Sequence, residues 1–269
     1  MTDPWRQVDA SGEAARLIEV LEERGSTSGL AELRNRWLDF ADVRPGSYIL
    51  DVGCGTGVVA RDLARRVGEQ GRVVGVDPSR QFIQEAATRA RAEGVEGRIE
   101  FRCADGAALP FPDNRFDLVV ASNVFSHIAH GLQVLAEMTR VSRPEGAVVV
   151  FDHDIDTIAV TASDRGLSRR IIHAYCDDHF TSGWAARELY GLFRQVALEE
   201  IRILPLVLSS TEFEGYWQQV VERASAVAVK TDAVSQEEAD RWREDLERKG
   251  REGRFFGCRN YCCVRGRKP

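Results

Sequence analysis

The chain has 269 residues, 43% of them hydrophobic and 29% charged, with a formal net charge of −6. That is enough apolar chain for one or two domains with a full core, so no disulfide or metal staple is required. The acidic balance argues against a bulk electrostatic grip on nucleic acid or anionic lipid, and no apolar run approaches the roughly 18 residues that span a membrane.

In chain order, the first residues, Met1-Thr-Asp-Pro-Trp5, have no basic start and no apolar stretch, which predicts no secretory leader. Leu17, Val20 and Leu21 share a helical face, so the first thirty residues predict a helical cover. The turn Arg44-Pro-Gly46 precedes a β-branched run, Tyr48–Val52. A helix follows with Val59, Leu63 and Val67 on one face. A second run, Arg72–Val76, leads to a helix carrying Phe82, Ile83, Ala86 and Ala90. Runs three and four are Arg98–Phe101 and Phe116–Ala121. A helix with Ile128, Leu132 and Leu135, then the turn Arg143-Pro-Glu-Gly146, precede a fifth run, Ala147–Phe151. This alternation predicts a mostly parallel sheet covered by helices.

After Asp152 the rhythm changes. Residues 164–194 predict two helices and residues 197–208 a strand. Phe213, Trp217, Val220, Val221 and Ala224 repeat at helical spacing, residues 235–249 predict a charged helix, and Phe255–Val264 a closing strand.

The sharpest motif is Ile49-Leu-Asp-Val-Gly-Cys-Gly-Thr-Gly57, at a strand-to-helix junction where glycine permits positive φ and close approach to a ligand. A dinucleotide fingerprint would place its third glycine at position 58, which is Val58. The loop also begins with Asp51, which would repel a pyrophosphate. S-adenosylmethionine brings no phosphate but an ammonium and a sulfonium, both cationic, so spacing and charge agree on that cofactor. Asp77 ends the second strand, where an acid accepts from ribose hydroxyls, and Asp105 follows the third.

These segments, with Val73-Val-Gly-Val-Asp77, Ala104-Asp-Gly-Ala-Ala-Leu-Pro-Phe-Pro-Asp113, Phe116-Asp-Leu-Val-Val-Ala-Ser-Asn123 and Val141-Ser-Arg-Pro-Glu-Gly-Ala147, resemble the class I S-adenosylmethionine-dependent methyltransferases. The most similar branch is the ubiquinone/menaquinone-biosynthesis type acting on small molecules, over roughly residues 30–155. The resemblance implies an α/β fold: a doubly wound, Rossmann-like, seven-stranded, mostly parallel sheet with strand seven antiparallel. It implies a single domain over 1–269, with a core of about 30–153, 197–208 and 254–266. A helical lid would take about 1–29, 155–195 and 210–250. Gly53, Gly55 and Gly57 would pass under the methionine part, beside Asp51. Asp77 would hold the ribose and Asp105 the adenine amino group, with Gly106 beside it, and Asn123 would lie near the sulfonium. The product would be S-adenosylhomocysteine and the acceptor a small molecule in secondary or quinone-like metabolism, methylated on carbon, nitrogen or oxygen.

Methyl transfer needs alignment and exclusion of water more than bond-making groups, because the sulfonium is already a strong leaving group. A base helps when the nucleophile carries a proton. His153, just past the fifth strand, is the best-placed histidine, with Asp154 and Asp156 as partners in orientation or in holding an amine. His127 and His130 read as local architecture, and His173 and His179 as helix-surface or pocket-lining residues. Tyr175, Phe180, Trp184, Phe213 and Trp217 are candidates for an apolar wall. Cys258, Cys262 and Cys263 lack the second paired set of a zinc site, so the reading is metal-free, with the cysteines as small apolar fillers in a reduced, cytoplasmic protein, monomeric or homodimeric. The rivals are a nucleic-acid or protein methyltransferase and a protein that binds the cofactor without methylating.

Overall fold

The structure, a computed structural model, describes Trp5 and residues 8–269. Helices α1 (Val8–Ser11), α2 (Ala14–Ser26) and α3 (Ser28–Phe40) precede the sheet. Then β1 (Tyr48–Val52), α4 (Val58–Val67), β2 (Arg72–Asp77), α5 (Arg80–Ala92), β3 (Ile99–Cys103), β4 (Phe116–Ser122), α6 (Gly131–Val141) and β5 (Ser142–Val160) alternate. The chain continues through α7 (Arg165–His179), α8 (Ala185–Gln195), β6 (Glu199–Ser210), α9 (Tyr216–Lys230), α10 (Gln236–Arg251) and β7 (Gly257–Arg267).

The seven strands form one sheet in the order β3-β2-β1-β4-β5-β7-β6. The first five pair in parallel, and β7 lies antiparallel between β5 and β6. The sheet and its order match the doubly wound fold expected from the sequence. Alternation sorts the strand residues onto two faces. Ile49, Val73, Val120 and Val149 share a core with Trp37 and Leu38 of α3 and Leu63 of α4. Leu50, Val74, Val119 and Val148 pack with Leu135 and Met138 of α6 and Leu189 and Phe193 of α8. Strands buried on both faces explain the unbroken β-branched runs.

Two expectations need correction. Helix α8 packs on the sheet beside α6, so it is part of the layered core and not of a cover over 155–195. Strand β5 is 19 residues long and runs well past Phe151, because β7 supplies a hydrogen-bonding partner beyond the end of the parallel ladder. A register shift between Asp154 and Ala159 bends the pair there. On that extension, residues of α7, α9 and α10 join one core with Ile155 and Ile158. At the other end of the chain, the Asp9 carboxylate of α1 accepts from Ser79 Oγ (2.5 Å) and the Arg80 amide (2.9 Å) at the start of α5. Among the described residues no helix is long and apolar enough to cross a membrane.

Candidate active site

The site begins where β1 turns into α4. Gly53 has φ 70°, a left-handed conformation that side chains disfavour, and a Cβ there would lie 2.4 Å from the Val124 side chain. The Gly53 and Cys54 amides both donate to the Val76 carbonyl (2.8 and 2.9 Å), which folds the loop over the end of β2. The Gly55 amide then donates to Asp77 Oδ2 and the Ser79 amide to Asp77 Oδ1, both at 2.9 Å. Ser79, not Asp77, caps α5 by accepting from the Phe82 amide. Asp77 is thereby fixed with acceptor capacity remaining on each oxygen, as a ribose diol needs. Burial pushes its carboxyl up to about 6, against the two amides that favour the ionised form.

Asp51 is 1% exposed, and its Oδ2 has no hydrogen-bond partner. Burial first, and the neighbouring Asp77 second, push its carboxyl up to about 8. Two buried acids side by side with one oxygen orphaned call for a cation. They suit the ammonium and sulfonium of S-adenosylmethionine and oppose a pyrophosphate. Asp105 lies exposed at the rim, its Oδ1 accepting from the Ala107 amide at 2.9 Å, and Gly106 sits close beneath it. A Cβ on Gly106 would come 3.0 Å from Val52. Asn123 has φ 54°, its amide donates to the Phe151 carbonyl (2.8 Å), and its buried Oδ1 has no partner.

A single cavity of about 460 Å³ is lined by Asp51, Gly53, Gly55, Asp77, Asp105, Gly106, Asn123 and His153. Gly57 does not line it. That residue precedes α4 and packs against Phe101 and Ala86, so its missing side chain serves helix packing and not ligand approach.

Away from the glycine loop the cavity becomes aromatic. Trp37, Phe151 and Tyr261 form a stacked series, with ring centroids 5.6 and 5.1 Å apart and interplanar angles of 15° and 6°. Trp5, Leu21 and Arg24 cover it from the N-terminal side and Tyr216 from α9. None of the five aromatics expected to form this wall lines it. Trp217 packs on Tyr216 and Phe255, Phe213 packs on Phe255, and Trp184 is 48% exposed. Tyr175 and Phe180 form a second row, with Phe180 against His127 and His153.

His153 is 4% exposed and lines the cavity, and its Nε2 has no hydrogen-bond partner. Burial, reinforced by the cations Arg259 and Arg24, lowers its pKa well below the usual value, so the ring is neutral. Asp154 and Asp156 do not orient it. Asp154 takes a two-bond fork from Arg187 (2.6 and 2.6 Å) and Asp156 a further bond (3.2 Å), which ties α8 to β5. The carboxylate that serves His153 is Asp152, fully buried, whose Oδ1 accepts the His153 amide (2.8 Å) and Oδ2 the Ser126 amide (3.2 Å). His127 and His130 line the cavity, whereas His173 is half exposed near Asp156 and away from it.

Arg259 was missed in the sequence. It is 5% exposed, lies on β7, and its Nη2 donates to the Tyr261 hydroxyl. A guanidinium buried without a carboxylate costs several kcal/mol, which aromatic contacts worth about 2 kcal/mol only partly offset. The available signal was an arginine in phase with Tyr261 and Cys263 on the inward face of a strand.

Residues 49–146 match the family model described as a methyltransferase domain. Over those residues the chain is similar to methyltransferase domains. The ubiquinone/menaquinone biosynthesis C-methyltransferase UbiE of Ectopseudomonas mendocina is 35% identical over 158 residues, 55% of this chain and 62% of that protein. An uncharacterized 37.1 kDa protein in transposon TN4556 of Streptomyces fradiae is 28% identical over 230 residues, 85% of this chain and 66% of that one. The YcgJ protein from Bacillus subtilis superposes with a TM-score of 0.62 at 19% identity, over 87% of this chain and 97% of that one. The chain thus spans between 46% and 66% of the length of the first curated relatives it matches. The expected resemblance to methyltransferases of the ubiquinone/menaquinone-biosynthesis type is borne out.

Proposed function

We propose that the protein transfers a methyl group from S-adenosylmethionine to a flat small molecule held inside the cavity. One observation carries this reading: a single cavity joins a glycine cradle flanked by buried acids to a chamber walled by three stacked rings. Gly53 and Gly55 lie under the methionine part, Asp51 faces its cations, Asp77 takes the ribose hydroxyls and Asp105 the adenine edge, with Gly106 beside it. Asn123 stands near the sulfonium. The relatives named for quinone biosynthesis support a flat acceptor, and a chamber of this size, lined from α2, α3, α9 and β7, suits a metabolite. The six free cysteines fit a reducing, cytoplasmic setting.

His153 is the proposed base. Its neutral ring receives the acceptor's proton as the acceptor atom attacks the methyl carbon and the sulfide leaves. The test is to incubate the protein with S-adenosylmethionine and a metabolite panel and to follow S-adenosylhomocysteine and a mass gain of one methyl. His153→Ala is expected to lower turnover about 100-fold, the lower end of what a positioned base contributes. S-adenosylhomocysteine affinity should be nearly unchanged. Normal turnover in that variant across pH removes His153 from the chemistry. Cofactor binding with no methylated product across the panel speaks against the transfer itself.

A further inference from the structure

Methyl transfer accounts for the acidic end of the cavity but not for the cations at the other. Arg259 lines the chamber, and Tyr216 and Tyr261 hold its guanidinium with ring centroids 5.4 and 4.8 Å from the guanidinium carbon. Only Nη2 is engaged, by the Tyr261 hydroxyl, while Nε has no partner. Among the described residues its one hydrogen-bond partner is a tyrosine hydroxyl, and no carboxylate pairs with it. Arg24 enters the same chamber from α2, stacks 5.7 Å from the Trp5 ring, and its Nε is likewise without a partner. Buried polar groups in folded proteins find partners, so two orphaned guanidinium nitrogens in one chamber mark the place of a group other than the described residues.

That group must be an acceptor of hydrogen bonds, because a guanidinium only donates. It must be anionic, because Arg259 is buried and no described residue gives it a counter-charge. It sits against aromatic walls beside a buried guanidinium, which suits a singly charged group over the more strongly hydrated phosphate dianion. We propose that the methyl acceptor is a flat carboxylic acid whose carboxylate pairs with Arg259 while its ring or conjugated chain lies along Trp37, Phe151 and Tyr261. This rests on the proposed methyl transfer only for the word acceptor; the anion site stands on Arg259 itself. The cavity is then electrically two-ended, with Asp51 and Asp77 holding the cationic cofactor and Arg259, helped by Arg24, holding the acid.

The test uses the full chain saturated with S-adenosylhomocysteine and four probes: benzoate and cinnamate, and their neutral amides benzamide and cinnamamide. Calorimetry is expected to show at least one acid binding tenfold or more tighter than its amide. Arg259→Met should abolish that preference with S-adenosylhomocysteine affinity kept within about twofold, and Arg259→Lys should retain part of it. Equal binding of acids and amides, no binding of either acid, or an undiminished preference in Arg259→Met overturns the assignment. If Arg259→Met does not fold, the acid-against-amide comparison on the unaltered protein decides. Acid preference in a protein that ignores S-adenosylhomocysteine would keep the anion site and remove the methyltransferase reading; the converse result would do the opposite.

Discussion

Asp51 and Asp77 stand side by side at the ends of β1 and β2, yet the backbone treats them differently. Asp77 receives two amides, whereas Asp51 keeps an oxygen without a partner. Replacing Asp77 with alanine removes charge-assisted hydrogen bonds worth about 1.5–3 kcal/mol. S-adenosylhomocysteine affinity should then fall about tenfold to a hundredfold by calorimetry. For Asp51 the sign runs the other way in the free protein. Its carboxyl is raised to about 8 in the fold from a reference of 3.8, so between these pH values the unfolded chain has released a proton that the folded chain still holds. Stability therefore falls as pH rises through that window. Asp51→Asn, neutral throughout, should melt near the parent at pH 4 and above it at pH 8, by ~2–4 °C for each kcal/mol recovered. The same variant should bind S-adenosylmethionine at least about tenfold more weakly, having lost the charge that meets its cations. Equal melting temperatures at both pH values would show that Asp51 carries no burial cost. These acids were legible because strand ends and glycine turns are local signals. Arg24, Tyr216 and Arg259 were not, because they come from three elements far apart in sequence and meet only through tertiary packing. The sequence stripe that runs from Phe213 through Trp217 into α9 marks the core face, while Tyr216, next to Trp217 on another face, lines the cavity.

Helix α2 covers the glycine-loop end of the cavity, and Glu22 ties it to that loop, α4 and α5. Glu22 accepts from Thr56 Oγ1 of the glycine loop (2.6 Å) and from Arg61 of α4 (2.9 Å), and pairs with Arg89 of α5 (3.2 Å). Arg61 also pairs with Glu93, so it is not stranded when Glu22 is lost. Glu22→Ala should cost about 1.5–3 kcal/mol locally. Amide exchange over 14–26 should quicken with β1 and β4 unchanged, and cofactor binding should weaken. Unchanged exchange in α2 would mean that the apolar contacts of Leu17 and Val20 suffice to hold it. The elements themselves were largely readable: β1 begins and ends at the residues its run suggests, and α10 opens with the Ser235–Glu238 capping box. The misread elements are those whose limits depend on a partner. β5 outruns its apolar core because β7 continues the ladder, and α8 looks amphipathic in any setting until α6 and the sheet claim its apolar face.

On the scale of the molecule, the sheet divides into a parallel half that makes the cofactor cradle and an antiparallel trio that carries the anion-binding wall. The order within that trio has a consequence for how the protein is made. β7 leaves the ribosome after β6 but lies between β6 and β5, so β6 has no place in the sheet until β7 has arrived. A nascent chain can assemble β1 through β5 with their helices, and must then hold the open edge of β5, a long strand with unpaired amides and carbonyls, through the synthesis of four more helices. Such an edge invites pairing with other chains. A chain cut before Gly257 is therefore expected to bind S-adenosylhomocysteine poorly and to aggregate. A peptide spanning Gly257–Arg267, added during refolding, should restore solubility. A truncated chain that stays monomeric and folded would show that α7, α8 and β6 can shield that edge by themselves.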